Sequence, residues 1–207
     1  MKRLKTIILG MLLIGASNIS FAQSSLTVEA SQNITNFIFF NSDGVKDSEY
    51  NPIYSGGYAI GYRKMLDNGL IFQGKLGMRN GGATYIFDAT NYSWNLKYAE
   101  VRLGLGYNYS FGKIGAHLIA QPYMGFLLKA NQRLNNENFD ITKDGSINTK
   151  DFGAIVSPGA NFSVSDNISV YLDINYMIGL ANLETDGAQI SKNSLMGATL
   201  GVAFTIE

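Results

Sequence analysis

The sequence contains no cysteine. Disulfides, thiolate metal centres and a lipid-bearing cysteine are therefore excluded. A single histidine among 207 residues leaves no histidine cluster for a metal, and His117 becomes the one side chain whose ordinary pKa lies near neutrality. Three prolines against 23 glycines, 12 tyrosines and 12 phenylalanines suit a β protein with close backbone approaches rather than a helical one. Past residue 22 no apolar run approaches the roughly 18 residues of a membrane helix, so insertion into a bilayer would have to be as a closed barrel of strands. With 16 Lys and Arg against 16 Asp and Glu there is no basic excess, and no nucleic-acid partner is expected.

Residues 1–22 carry the three parts of a secretory signal: Lys2, Arg3 and Lys5, an apolar stretch from Ile7 to Ile14, and the small-x-small site Ser20-Phe21-Ala22. Cleavage there would leave residues 23–207 as one domain, with 13 basic and 16 acidic residues and a net charge of −3.

What is abundant is two-residue periodicity. In ISVYLDINYMIGL, residues 168–180, the alternate positions Ile168, Val170, Leu172, Ile174, Tyr176 and Ile178 are apolar, while Ser169, Tyr171, Asp173, Asn175, Met177 and Gly179 lie between them. That pattern is a strand long enough to cross a bilayer on a tilt. It recurs in eight segments, 26–40, 55–65, 70–79, 94–109, 114–129, 151–164, 168–180 and 194–207, although the far half of the first is less regular. Asp67-Asn68-Gly69, 110–113 and Ser165-Asp166-Asn167 read as tight turns, and 41–54, 80–92, 130–150 and 181–193 as long polar connections, with ATYIF at 83–87 able to prolong the strands beside it. Connections that alternate long and short predict an all-β, eight-stranded antiparallel up-and-down transmembrane barrel with short periplasmic turns and four longer extracellular loops. The soluble rival is a lipocalin-like barrel with its apolar face inside.

Face composition favours the apolar face outward. The polar face is rich in glycine, as the confined interior of eight strands requires, and it carries Glu29, Arg63, Lys75, Arg79, Glu100, Arg102, His117 and Asp173. Tyr62, Tyr109, Phe126, Tyr176 and Phe204 stand near segment ends on the apolar face, as interfacial aromatics do. The charges are expected to pair as a network filling the lumen; a narrow ion path is the alternative. His117 falls beside a short turn, at the periplasmic end, with no assembled nucleophile, so no enzyme is expected. One loop motif remains: Asp140, Thr142, Asp144, Ser146, Asn148 and Asp151 follow the oxygen-ligand spacing of a calcium loop, with Gly145 at the turn. Calcium there is an expectation without flanking helices to support it.

WNLKYAEVRLGLGYNY at 94–109, the run 151–183 and KNSLMGATLGVAF at 192–204 resemble the porin-like outer-membrane β-barrel family, the PorT-type or OmpA-barrel-like domain. The best-matching pieces are Tyr98-Ala99-Glu100-Val101, Asp151-Phe152-Gly153, Tyr176 with Gly179-Leu180, and Lys192-Asn193; Ala99 replaces a larger aliphatic residue, and Thr205-Ile206-Glu207 follow the usual terminal aromatic. The resemblance implies an outer-membrane location, outer-membrane lipid around the barrel, the barrel-assembly machinery as a partner during insertion, and a monomer. Three functions rank in order: a closed barrel with a structural or interaction role in the cell envelope, a narrow porin-like channel for small solutes or ions, and a lipid-modifying enzyme.

Overall fold

The computed structural model describes residues 23–206 apart from 48, 136, 186 and 188. The predicted signal segment lies outside the described residues. Ten strands run in chain order: β1 (Gln23–Phe40), β2 (Lys46–Asp47), β3 (Asn51–Met65), β4 (Leu70–Phe87), β5 (Thr90–Phe111), β6 (Ile114–Leu134), β7 (Glu137–Asp140), β8 (Lys150–Ser163), β9 (Ile168–Gly179) and β10 (Ile190–Ile206). Eight of the ten form the ring β1-β3-β4-β5-β6-β8-β9-β10, closed by β10 on β1, while β2 and β7 pair outside it. All pairings are antiparallel, and the closing register runs from Ser24 opposite Ile206 to Phe40 opposite Ile190. Closure leaves no long unpaired edge.

Alternation decides which face is which. Leu103 and Leu200 are 63% and 64% exposed, whereas Lys75 and Glu100 on the opposite face are 3% and 2% exposed. A soluble barrel would reverse that distribution. So extensive an apolar exterior requires an apolar solvent around it. Pro122 of β6 and Pro158 of β8 are accommodated where one neighbouring ladder lapses: the β5–β6 pairs stop after Arg102–Tyr123 and resume at Leu105–Ala120 in the same register, and the β8–β9 pairs skip from Val156–Tyr176 to Gly159–Asp173. Each proline keeps its other neighbour, Pro122 opposite Ala154 and Pro158 opposite Leu118. A missing N–H is tolerated there because only one ladder needs it.

The long-loop end departs from the expected segment boundaries. Residues 80–92 are not a loop: β4 and β5 pair without interruption to Phe87 opposite Thr90. Asp88 and Ala89 close that hairpin with φ of 46° and 60°, the left-handed turn that matches strand twist. Residues 130–150 are partly strand as well, because β7 folds back on residues 131–134 of β6. In β1 the alternation persists to its end, with Asn33, Thr35, Phe37 and Phe39 all buried. The inward set changes there from polar to aromatic, which hides the period in the sequence.

Candidate functional site

Within the ring, β1, β4, β5 and β8 send charged side chains into one connected chain of alternating sign. Glu29 accepts Lys75 Nζ at 2.6 Å on one oxygen and Arg102 Nη1 at 3.0 Å on the other. Arg102 continues to Glu100 through Nε at 2.8 Å and also through Nη2. Glu100 then accepts Arg79 Nε at 2.9 Å, and Arg79 Nη2 reaches Asp151. Lys75, Glu29, Arg102, Glu100, Arg79 and Asp151 thus pair three cations with three carboxylates, each carboxylate bonded by at least one buried cation. Uncompensated, any one of these charges would be severely destabilising in the lumen; paired and hydrogen-bonded, they fill it. Tyr171 donates to Glu29 at 2.8 Å, and Asn193 to Asp151 at 2.9 Å.

Arg63 stands apart. Its Nε donates to Gln73 at 3.1 Å, and the guanidinium lies 4.4 Å from the centre of the Tyr171 ring. Arg79 is held similarly, 4.6 Å from the Tyr98 ring and 5.2 Å from Tyr123. Each arginine has one buried nitrogen without a hydrogen bond, Arg63 Nη2 and Arg79 Nη1, and the aromatic faces supply the compensating attraction.

A second, neutral chain crosses the lumen. Gln73 donates to Gln121 at 2.9 Å, Gln121 to Ser157 at 2.9 Å, Ser157 to Asn175 at 2.7 Å and Asn175 to Thr199 at 2.7 Å. Gln73 and Gln121 sit on β4 and β6, so they meet across β5. Glycine permits that: a Cβ on Gly104 would lie 2.5 Å from Gln73 Cγ. His117 and Asp173 likewise meet across β8 above Gly159, where a Cβ would stand 2.2 Å from the carboxylate and 2.5 Å from the imidazole.

The imidazole of His117 is buried, with Nε2 2.6 Å from Asp173 Oδ1 and Nδ1 3.3 Å from Asn161 Nδ2. Asp173 and Asn161 thus hold the ring from its two nitrogens, one across β8 and the other on β8 itself. Among the described residues no hydroxyl is hydrogen-bonded to it. His117 occupies the short-turn end, three residues into β6.

The loop motif is divided between two environments. Asp140 accepts the Thr142 backbone N–H at 2.9 Å, and Asp144 accepts the backbone N–H and hydroxyl of Ser146 at 2.9 and 2.7 Å. These bonds hold both carboxyls below the usual range, the Thr142 hydroxyl acting most on Asp140 and the Ser146 amide most on Asp144. Asn148 donates to the carbonyls of Asn182 and Glu184. Asp151 is the exception: it is fully buried in β8, and its carboxylate is taken by Arg79, Tyr123 and Asn193. Of the six residues expected in a calcium loop, Asp151 thus belongs to the lumen network, while Asp140 and Asp144 accept bonds within the loop. Among the described residues no group of three or more His, Asp or Glu is arranged to hold a metal.

At the long-loop end the lumen turns apolar. Phe37, Ala83, Leu96, Tyr98, Ala130 and Leu183 form a buried cluster, against which Tyr50, Trp94, Leu127, Ile141 and Ile147 pack. Above it opens a cavity of about 560 Å³. A cavity of about 50 Å³ lies at the short-turn end beside Arg63, Ser25 and Asn161, and the two share no lining residue.

A family model described as the outer membrane protein β-barrel domain matches residues 6–205. The chain belongs to that family. Among solved structures, the outer membrane protein OprG from Pseudomonas aeruginosa is similar at 9% identity and a TM-score of 0.56, covering 89% of this chain and 96% of OprG. Ail, the attachment invasion locus protein of Yersinia pestis, is similar at 14% identity and a TM-score of 0.49, covering 89% and 99%. Neisserial surface protein A is similar at 13% identity and a TM-score of 0.48, covering 88% and 99%. Among curated proteins none matches in sequence. At such identities the likeness to OprG shows the fold alone. As a member of this family the protein is an integral outer-membrane barrel, its exposed apolar band in contact with lipid, its short turns periplasmic and its long connections extracellular.

Sequence parity marks several network members beyond the charged ones, because Tyr98, Tyr123 and Tyr171 alternate on the inward face with Glu100, Gln121 and Asp173. Asp151 is the residue that pattern reading of the loop misplaced. Its parity with Gly153 and Ser157, on the buried face of β8, was the available signal.

Proposed function

We propose that this protein is a closed, monomeric barrel of the cell envelope, with a lumen that serves as structural filling and loops that serve interaction. One observation carries the reading: the extracellular and periplasmic cavities are separate, and between them lies the alternating chain from Lys75 to Asp151. A small solute or ion would have to break buried ion pairs to pass, each of them satisfied within a low-dielectric interior. The barrel-assembly machinery and outer-membrane lipid are the partners this reading requires. In this reading His117, bonded to Asp173 and Asn161 at the periplasmic end, is part of the lumen filling.

The test is single-channel recording from the refolded barrel in a planar bilayer, beside Arg102→Ala. A folded, heat-modifiable wild-type barrel is expected to be silent. Steady wild-type conductance that changes in the variant would replace this reading with a narrow channel through the charged lumen.

A further inference from the structure

We propose that the extracellular mouth binds an uncharged small molecule built of a flat aromatic ring and one hydrogen-bonding group. This goes beyond the closed-barrel reading and holds whether or not the lumen conducts. The mouth cavity, about 560 Å³, is of the size that encloses a small molecule. Phe37, Tyr50 and Trp94 build one wall, their ring centroids 6.0 to 6.2 Å from one another, and Leu96 and Leu183 lie behind them. The three rings are tilted to one another by 40° to 59°, so they offer both faces and edges to the cavity. A flat ring finds its preferred offset and edge-on contacts against such a wall, and its burial there supplies the main attraction.

The polar part of the lining selects against charge. No lysine, arginine or histidine belongs to it, so an anion would face Asp144 and Glu184 without a counter-ion. Those carboxylates do not call for a cation either: Asp144, at an exposed loop position, accepts the Ser146 amide and hydroxyl, and Glu184 is bonded within the protein. An ion of either sign would give up its hydration to ring and aliphatic surface with no partner waiting for it. Two neutral groups do lack a partner. Ser191 of β10 lines the cavity at 4% exposure; its N–H donates to Asn182 and its carbonyl accepts from Leu183, while its hydroxyl is bonded to no described residue. Gln132 of β6, opposite Trp94, lines the cavity too, and its side-chain amide is bonded to no described residue. Polar groups left open in this way are satisfied by whatever occupies the cavity, which gives the ligand its hydrogen-bonding group.

Trp94 is the only tryptophan and forms part of the wall, so its emission reports occupancy directly. The experiment titrates the refolded barrel in lipid nanodiscs with benzamide, benzoate and benzamidinium, three probes of one shape that differ in charge. A saturable change in Trp94 emission is expected with benzamide, and binding about tenfold weaker or absent with either ion. Ser191→Ala and Gln132→Leu remove the two open polar groups one at a time, and each is expected to weaken benzamide binding about fivefold. Folding of both variants is checked by heat-modifiable migration, and Gln132→Leu, at the less buried position, carries the test if Ser191→Ala fails to fold. A linear, unsaturable response to benzamide, equal or tighter binding of benzoate or benzamidinium, or unchanged benzamide affinity in the folded variants would overturn the proposal.

Discussion

The middle of the lumen and its extracellular mouth are built on the same strands and solve the interior problem in opposite ways. At membrane depth the inward positions of β1, β4, β5 and β8 carry charges that satisfy one another, so the interior is full and each member depends on its neighbours. Further toward the long-loop end of β1, β4 and β5, Phe37, Ala83 and Leu96 replace the charges, and the interior opens into a cavity bounded by rings. Removing a charged partner from a buried polar network leaves its counter-charge exposed to a low dielectric, whereas trimming an apolar cluster costs contact area and a local cavity. The difference separates a part whose members hold the barrel together from a part in which a loss stays local.

The sharpest way to break this contrast is Glu100→Ala. Glu100 is bonded by both Arg79 and Arg102, so its removal leaves two buried guanidinium groups with one fewer carboxylate between them. A global loss of about 3–5 kcal/mol is expected in denaturant unfolding of the barrel in vesicles, followed by heat-modifiable migration. A loss under about 1 kcal/mol would mean that the chain is not under electrostatic tension. Leu96→Ala, at a fully buried position in the mouth cluster, is expected to cost about 2–3 kcal/mol. Its effect should be local: faster hydrogen exchange in the extracellular connections and red-shifted Trp94 emission, with the unfolding midpoint moved less than by Glu100→Ala.

The smallest effect concerns the loop carboxylates. Asp140 and Asp144 have depressed pKa values in the folded chain, so their contribution is present above the ordinary carboxylate range and is lost as pH falls through the folded values. Protection of the Thr142 and Ser146 amides, which these carboxylates accept, should therefore fall on acidification below about pH 4 while the lumen amides stay protected. Equal loss of protection in lumen and loop would erase the distinction between the two regions.

How far each region could be read from the sequence follows the same division. The inward positions at membrane depth are visible because a charged or glycine residue alternates with an apolar one, as in Arg63, Glu100 and Asp173 beside Tyr62, Val101 and Leu172. The mouth is not visible in this way. From Phe37 to Phe40 and from Ala83 to Phe87 the inward residues are apolar too, so both faces look alike and the period disappears.

Alternation, turn chemistry, the order of connection lengths and the composition of the two faces pointed to an eight-stranded barrel with its polar face inward. They are local properties, and they survive without knowledge of where a strand's neighbour lies. Pairing was decided only in three dimensions. Glu29 meets Arg102 at a separation of 73 residues, and His117 meets Asp173 across an intervening strand that must carry Gly159. Such contacts depend on strand register and on the empty space above a glycine, and both exist only once the ring has closed on itself.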